Sequence, residues 1–277
     1  MEYLDMHVHT TASDGILAPS DAILWSKRLG LKGIAITDHD TVDGIPEGIA
    51  EASKHEGFIL IPGIEFSALY ENEEVHILGY FIDHTNKVLT ELTREIKDAR
   101  FNRGQKIIKQ LQSLGYNLSL SDIPALSEDT AIGRPHIARL LVEKSYFSSI
   151  QEAFEVLLKK GKPAYVERFK LSVDDAIDAI ISAEGLPVLA HPGLLSPNCD
   201  LNQIISKGIK GIEVFHTKHD KTQTKRFKRI AESKNLHITG GSDYHDNFNN
   251  GIPTIGSVTV PLNLVSILLK NHQQSFL

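Results

Sequence analysis

Short, β-branched apolar runs in this chain repeatedly end in histidine or carboxylate. The run at residues 3–9 closes on His7-Val8-His9, and the run at 33–37 leads straight into Asp38-His39-Asp40. Residues 58–67 carry Glu65 near their end, 186–190 are followed by His191-Pro192, 210–216 end on His216, and 236–240 lead into Gly241-Ser242-Asp243-Tyr244-His245. Runs of this length and composition read as strands, and helical patterns separate several of them. Helices are expected from Pro19 to about Leu29, at 46–56, from a Ser172 cap onward, at 201–207 and at 220–234. Alternation of this kind predicts parallel strands in a βα barrel or an open sheet. The ends of such strands meet at one mouth, where rigid strands hold the side chains and the loops vary freely. One run breaks the pattern. At 75–82 the histidine, His76, stands at the start, and the alternation gives no reason for it.

A second region has another rhythm. From Leu89 to Arg168 no strand is evident. A long helix is expected at about 90–114, with Leu92, Ile96, Ala99, Ile107, Leu111 and Leu114 on one face and Gly115 as its stop. Shorter helices are expected near 121–126, 135–145 and 150–160, and a terminal helix at 262–273. The chain therefore reads as an α/β barrel of residues 1–88 and 169–277, with 89–168 a helical insertion beside the mouth that contributes to the substrate pocket.

Composition narrows the partners. The 277 residues carry a formal charge of −6, so long duplex nucleic acid is repelled overall, and a phosphorylated substrate needs local positive charge. No apolar run approaches the roughly 20 residues that cross a bilayer. The chain enters its first strand without a basic and apolar leader, and Cys199 is the only cysteine, so a reducing cytoplasm is the expected location and no membrane partner is expected. Oligomeric state cannot be read from the sequence.

The candidate ligands are His7, His9, Asp14, His39, Glu65, His76, His191, Asp243 and His245. Singly, each has an ordinary explanation: Asp14-Gly15 makes a turn, and Asp38-His39-Asp40 caps a helix. Jointly, recurrence at successive strand ends points to a multinuclear metal centre.

These motifs also carry a resemblance. His7-Val8-His9-Thr10, Ser13-Asp14-Gly15, Thr37-Asp38-His39-Asp40, Pro62-Gly63-Ile64-Glu65, His191-Pro192 and Gly241-Ser242-Asp243-Tyr244-His245 resemble, in order and along almost the whole chain, the PHP (polymerase and histidinol phosphatase) superfamily. The resemblance implies a distorted (β/α)7 barrel (PHP fold) with an inserted helical subdomain and two to three divalent ions, Mn²⁺ first, with Fe²⁺, Zn²⁺ or Mg²⁺ as alternatives. By motif, one ion takes His7, His9, Glu65 and Asp243, a second takes Asp14, His39 and His245, and a third shares Glu65 with His76 and His191. Asp14 stands where some relatives carry histidine, which makes the second site richer in oxygen and favours Mn²⁺, Fe²⁺ or Mg²⁺ there over Zn²⁺.

Clustered divalent ions suit phosphoester hydrolysis by metal-activated water. Neither a Gly-x-Ser-x-Gly elbow nor a P-loop is present. Ile132-Gly133-Arg134-Pro135-His136, Glu65-Phe66-Ser67, Arg100-Phe101-Asn102-Arg103 and Glu213-Val214-Phe215-His216 resemble one branch of the superfamily. That branch includes 3′,5′-nucleoside bisphosphate phosphatases that also degrade short RNA from the 5′ end. The resemblance implies Arg134, His136 and Arg103 as substrate contacts, with Arg134 gripping a second phosphate. It implies His216 as a contact or proton donor near the reaction; Arg100, Ser67 and Lys218 are further candidates. The expected substrate is a nucleotide or short single-stranded RNA. The competing readings are a histidinol-phosphate phosphatase and a non-catalytic metal-binding regulatory module.

Overall fold

The first strand, β1 (Tyr3–Val8), is buried from its second residue onward, because sheet neighbours and covering helices exclude water from both faces. A computed structural model describes residues 2–123, 133–167 and 169–275 and divides the chain into Met1–Leu92 with Lys170–Leu277, and Thr93–Phe169. After β1 come α1 (Pro19–Arg28), β2 (Gly33–Ile36), α2 (Ile45–Ala52), β3 (Ile59–Tyr70), β4 (Glu73–Tyr80) and the long helix α3 (Lys87–Ser113). The helical unit adds α4 (Arg134–Glu143) and α5 (Ile150–Ala153), which continues as a π-turn over Phe154–Leu158. The chain resumes with α6 (Val173–Ser182), β5 (Leu186–Leu189), α7 (Leu201–Ser206), β6 (Gly211–His216), α8 (Lys221–Lys234) and β7 (His237–Gly241). It ends with β8 (Phe248–Asn249), β9 (Ile252–Pro253), β10 (Val260–Pro261) and α9 (Leu262–Ser275).

Local chemistry explains the helix ends. Pro19 opens α1, and Gly30 at φ +79° follows its last turn. Ser172 and Asp175 make a reciprocal capping box at α6, with Ser172 Oγ accepting from the Asp175 amide at 3.0 Å.

The strands form one sheet in the order β10-β1-β2-β3-β4-β5-β6-β7. It is a nearly closed α/β barrel. Val8 bridges Tyr244 in parallel, and the His9 amide donates to the Tyr244 carbonyl at 2.9 Å, so the segment after β7 returns to the end of β1. One cluster of buried residues packs Leu4, Met6, Ile61, Leu78, Tyr80 and Val188. The helical unit has its own core, built from Ile107 and Leu111 of α3, Ile137, Leu140 and Leu141 of α4, and Leu157 and Leu158.

The expectation of parallel strands throughout is corrected at β4, which pairs antiparallel with both β3 and β5. Only Glu71 and Asn72 separate β3 from β4, and two residues allow a hairpin but no crossover. Glu71 adopts φ +55° to make the turn. The reversal accounts for His76. An antiparallel strand begins where its parallel neighbours end, so the first residues of β4 lie at the same mouth.

Other boundaries shift. The expected 46–56 helix stops at Ala52. The helix expected at 121–126 is a short 3₁₀ turn over Leu120–Asp122, and residues 124–126 lie outside the described residues, as do Ile132 and Arg168. β8, β9 and β10 were not expected, because two-residue strands have too few positions to show a period.

Candidate metal centre

Glu65 organises the site. It sits inside β3, fully buried, paired across the hairpin with Leu78 and diagonal to His76. Directly opposed and i,i+2 residues share a face of the sheet, so Glu65 and His76 point the same way. Glu65 Oε1 faces His76 Nδ1 at 3.0 Å and His191 Nε2 at 2.9 Å. Its Oε2 lies 3.4 Å from His7 Nε2, 3.2 Å from His9 Nε2 and 3.1 Å from His39 Nδ1. One carboxylate thus meets five imidazoles carried by β1, β4 and the segments that follow β1, β2 and β5.

Asp243 is the second hub. Its Oδ1 is 3.3 Å from both His7 Nε2 and His9 Nε2, and its Oδ2 is 3.3 Å from His216 Nε2. His245 Nε2 lies 3.3 Å from Asp14 Oδ1, and the His9 and His245 rings stack with centroids 4.0 Å apart. Backbone strain accompanies the convergence: Asp40, His191 and Asp243 adopt φ of +55°, +22° and +53°.

Several of these atoms lack an ordinary partner. His9 Nδ1, His39 Nδ1, His191 Nδ1 and Glu65 Oε2 are buried without a hydrogen bond. Glu65 Oε2 nevertheless has three ring nitrogens within 3.4 Å. Lone pairs that approach without hydrogen-bond geometry are those of ligands aimed at a common centre. Three groups have donor atoms close enough to hold a divalent ion: His7, His9, Glu65 and Asp243; His9, Asp14, His39 and His245; and His39, Glu65 and His76. His9 and His39 join groups beyond those the motif resemblance gave them, and His191 touches the third group through Glu65 Oε1. The residues present fit divalent ions.

The electrostatics match a site that exchanges protons for cations. Burial drives His7 toward its neutral form, but Glu213, Glu65 and Asp243 outweigh this and hold its pKa well above the ordinary value. Burial likewise opposes charge on His76 and His245, yet Glu65 raises the first to about 10 and Asp14 raises the second to about 10. Burial dominates at His39 and lowers it to about 4. Burial alone would raise Glu65, Asp14 and Asp243, but the surrounding histidines hold all three well below the usual carboxylate range.

Other carboxylates, none of them among the candidate ligands read from the sequence, hold these groups in place. Glu213 of β6 is fully buried; its Oε1 accepts from His7 Nδ1 at 3.1 Å and its Oε2 from the His191 amide at 2.8 Å. With Nδ1 held by Glu213, Nε2, facing Glu65 and Asp243, is the nitrogen that would give up its proton to a metal ion. Asp5 accepts from the amides of His7, Ser242 and Gly256 and from the Ser242 hydroxyl, tying β1 to the segment after β7. Asp38 accepts from Thr10 and Ser13 and so fixes the loop that carries Asp14. Gly241 must be glycine, because a Cβ there would lie 2.4 Å from the His7 amide and Cβ. The available signal was a carboxylate in the middle of an otherwise apolar strand.

His216 belongs to the barrel site. Its Nδ1 accepts from the Lys218 amide at 3.1 Å, which leaves the proton on Nε2, toward Asp243. Arg103, Arg134 and His136 lie in the helical unit. Arg103 Nε donates to the Val166 carbonyl at 2.8 Å. Arg134 opens α4 with its guanidinium 5.7 Å from the Phe154 ring centre, and His136 Nδ1 accepts from the Gly133 amide at 3.0 Å.

A nearly closed barrel whose mouth gathers this donor set is that of a metal-dependent phosphoesterase, and known proteins it resembles carry phosphoesterase names. Residues 5–167 match the PHP domain, and the chain belongs to this family. It is 32% identical over 247 residues to the 5′-3′ exoribonuclease Rnm of Escherichia coli, a match covering 87% of this chain and 84% of that one. It is 30% identical over 256 residues to the 3′,5′-nucleoside bisphosphate phosphatase of Chromobacterium violaceum, covering 88% of each. Among solved structures, a protein from Bifidobacterium adolescentis assigned as a metal-dependent phosphoesterase superposes with a TM-score of 0.87 at 30% identity, over 96% of this chain and 95% of the other.

Proposed function

We propose that this phosphoesterase acts on nucleotides, removing a phosphate from a 3′,5′-nucleoside bisphosphate or hydrolysing the 5′ end of a short oligoribonucleotide. The observation that carries the reading is the sharing of Glu65 among five imidazoles, with Asp243 beside it. The names of the Escherichia coli and Chromobacterium violaceum relatives support the substrate class.

Two to three divalent ions are held by His7, His9, Asp14, His39, Glu65, His76, His191, Asp243 and His245, with Mn²⁺ favoured by the oxygen donor of Asp14. Divalent ions bound in such a site lower the pKa of water and neutralise charge on phosphate oxygens. The chain supplies the rest. Glu213 and Asp5 set the direction of His7, and Asp38 sets the loop of Asp14. His216, with its proton on Nε2, stands ready to donate to the leaving oxygen. Arg134, His136 and Arg103 are the substrate contacts that the resemblance implies, Arg134 taking the second phosphate through its forked donors. No described helix is long and apolar enough to cross a membrane. Together with the single cysteine this supports a cytoplasmic enzyme.

The test is a screen of Mn²⁺-loaded protein against adenosine 3′,5′-bisphosphate, 5′-phosphorylated short RNA and L-histidinol phosphate. Turnover of the first two, lost on chelation, is expected. Turnover of L-histidinol phosphate alone overturns the nucleotide reading, and metal-independent inertness toward all three leaves a binding module.

A further inference from the structure

Acidic residues outnumber basic ones in this chain, 35 to 29, yet α8 carries a strong excess of cations. Along its 14 residues α8 carries Lys221, Lys225, Arg226, Lys228, Arg229 and Lys234 against a single carboxylate, Glu232. Phe227 and Ala231 are buried and turn the opposite side of α8 to the barrel, while all six cations are exposed. None of the six has an ion-pair partner among the described residues, whereas other surface lysines, such as Lys54, Lys144 and Lys207, pair with carboxylates. A solvated helix face of mixed charge would show such pairs along its own length.

The position of the helix is as telling as its charge. β6 ends on His216, Lys218 donates its amide to His216 Nδ1, and α8 begins just beyond. The start of α8 is tied to the loop of His191. Gln223 Nε2 donates to the Gly193 carbonyl, and the Gly193 amide donates to His219 Nε2, each at 3.1 Å. Lys221, Lys225 and Lys228 follow at intervals of four and three residues and so share one face, rising about 4.5–6 Å per step along a helix about 21 Å long. Helical side chains lean toward the N-terminus, which here is the end at the metal centre.

We infer that the exposed face of α8 is a track for the phosphate backbone of a single-stranded oligonucleotide whose 5′ end occupies the metal centre. The inference rests on the nucleotide-hydrolase reading and extends it. Nucleotides beyond the first are held by Lys221, Lys225 and Lys228 through their phosphates, without base preference, so longer substrates gain affinity that a mononucleotide cannot. Single strands fit this role better than duplexes, because one row of cations matches one backbone.

The experiment compares wild type with the triple variant Lys221→Glu, Lys225→Glu, Lys228→Glu and with a charge-preserving triple variant, Lys→Arg at the same positions. Turnover is measured on adenosine 3′,5′-bisphosphate and on a 5′-phosphorylated hexaribonucleotide, and hexamer binding is measured on metal-free protein across a salt series. The Glu variant is expected to lose roughly tenfold or more in kcat/KM on the hexamer, while the bisphosphate changes less than about twofold and the Arg variant behaves as wild type. The slope of log affinity against log salt should fall by about 2 for three lost contacts, at about 0.7 per contact. Equal losses on both substrates, or hexamer binding that survives charge reversal, overturn the track. Should wild type bind the hexamer through α8 and hydrolyse neither substrate, the activity reading falls and the track stands.

Discussion

Replacing Glu213 by Gln isolates what a buried residue outside the ligand groups contributes to them. The carboxylate accepts twice, from His7 Nδ1 at 3.1 Å and from the His191 amide at 2.8 Å, and it is fully buried. A Gln of the same shape has one acceptor and one donor group. If its oxygen takes the His191 amide, its NH₂ faces His7 Nδ1 and drives the ring proton to Nε2, the nitrogen directed at Glu65 and Asp243. If its oxygen takes His7, its NH₂ meets the His191 N–H donor to donor. The first arrangement takes away the Nε2 lone pair without orphaning a buried group, and the second leaves a buried donor unsatisfied, at about 1–3 kcal/mol. Outer partners of metal-bound histidine are typically worth about 10–100-fold in metal affinity or activity, or about 1.4–2.7 kcal/mol. Both routes converge on a metal affinity lower by one to two orders of magnitude. Metal content after dialysis, measured by elemental analysis, and kcat as a function of Mn²⁺ concentration report the loss, with circular dichroism as the control for folding. Wild-type metal retention and turnover within about twofold would refute the argument that Glu213 sets the His7 tautomer.

Four further outcomes are expected. Glu65→Gln removes the charge shared by five histidines, so metal content should fall to background and turnover by at least about a thousandfold; a loaded and active variant would remove Glu65 from the centre. The unloaded protein and the metal-loaded protein should respond oppositely to pH. His76 and His245 titrate near 10 when folded and at about 6.5 when unfolded, so their stabilisation is complete below about 6.5 and drains away as pH rises toward 10. Glu65, Asp14 and Asp243 are depressed, so their contribution is present above about pH 4 and is lost on further acidification. Metal replaces those histidine protons, and the gap in Tm between loaded and chelated protein should widen from pH 6 to 9; a constant gap would show that cations and protons do not compete there. Gly241→Ala places a Cβ 2.4 Å from the His7 amide nitrogen and Cβ and should lower both Tm and metal content, whereas Gly251→Ala, strained only by its φ of +77° with nothing within 4 Å, should lower Tm and leave metal content unchanged. Finally, Arg134→Ala should raise KM for a bisphosphate more than for a simple monophosphate ester, and equal loss on both would remove Arg134 from substrate recognition.

The residues that meet at the mouth were readable because their positions follow from local pattern. A β-branched run marks a strand, its end marks the mouth, and a histidine or carboxylate there points to ligands, whichever strand lies alongside. The same local signals marked Pro19, Gly30 and the Ser172 cap, and they marked the strandless stretch that forms the helical unit. Pairing between strands is not a local property. The hairpin at Glu71-Asn72 was hidden because β3 and β4 each extend beyond the expected runs at 58–67 and 75–82, through Ala68-Leu69-Tyr70 and Glu73-Glu74, so the direction of β4 and the placement of His76 emerged only with the sheet register. Glu213, Asp5 and Asp38 escaped for a related reason. A carboxylate within a strand, as Glu213 and Asp5 are, or just past its end, as Asp38 is, carries no sign of what it will face, and each of these is defined by amides, hydroxyls or an imidazole from elsewhere in the chain. Periodicity and end residues are encoded one segment at a time, so the motifs alone place the candidate ligands, His76 excepted, at the barrel mouth. The closure of β1 against the turn after β7, and the buried acceptors that orient each ligand, depend on contacts between distant segments, and these exist only once the barrel has folded.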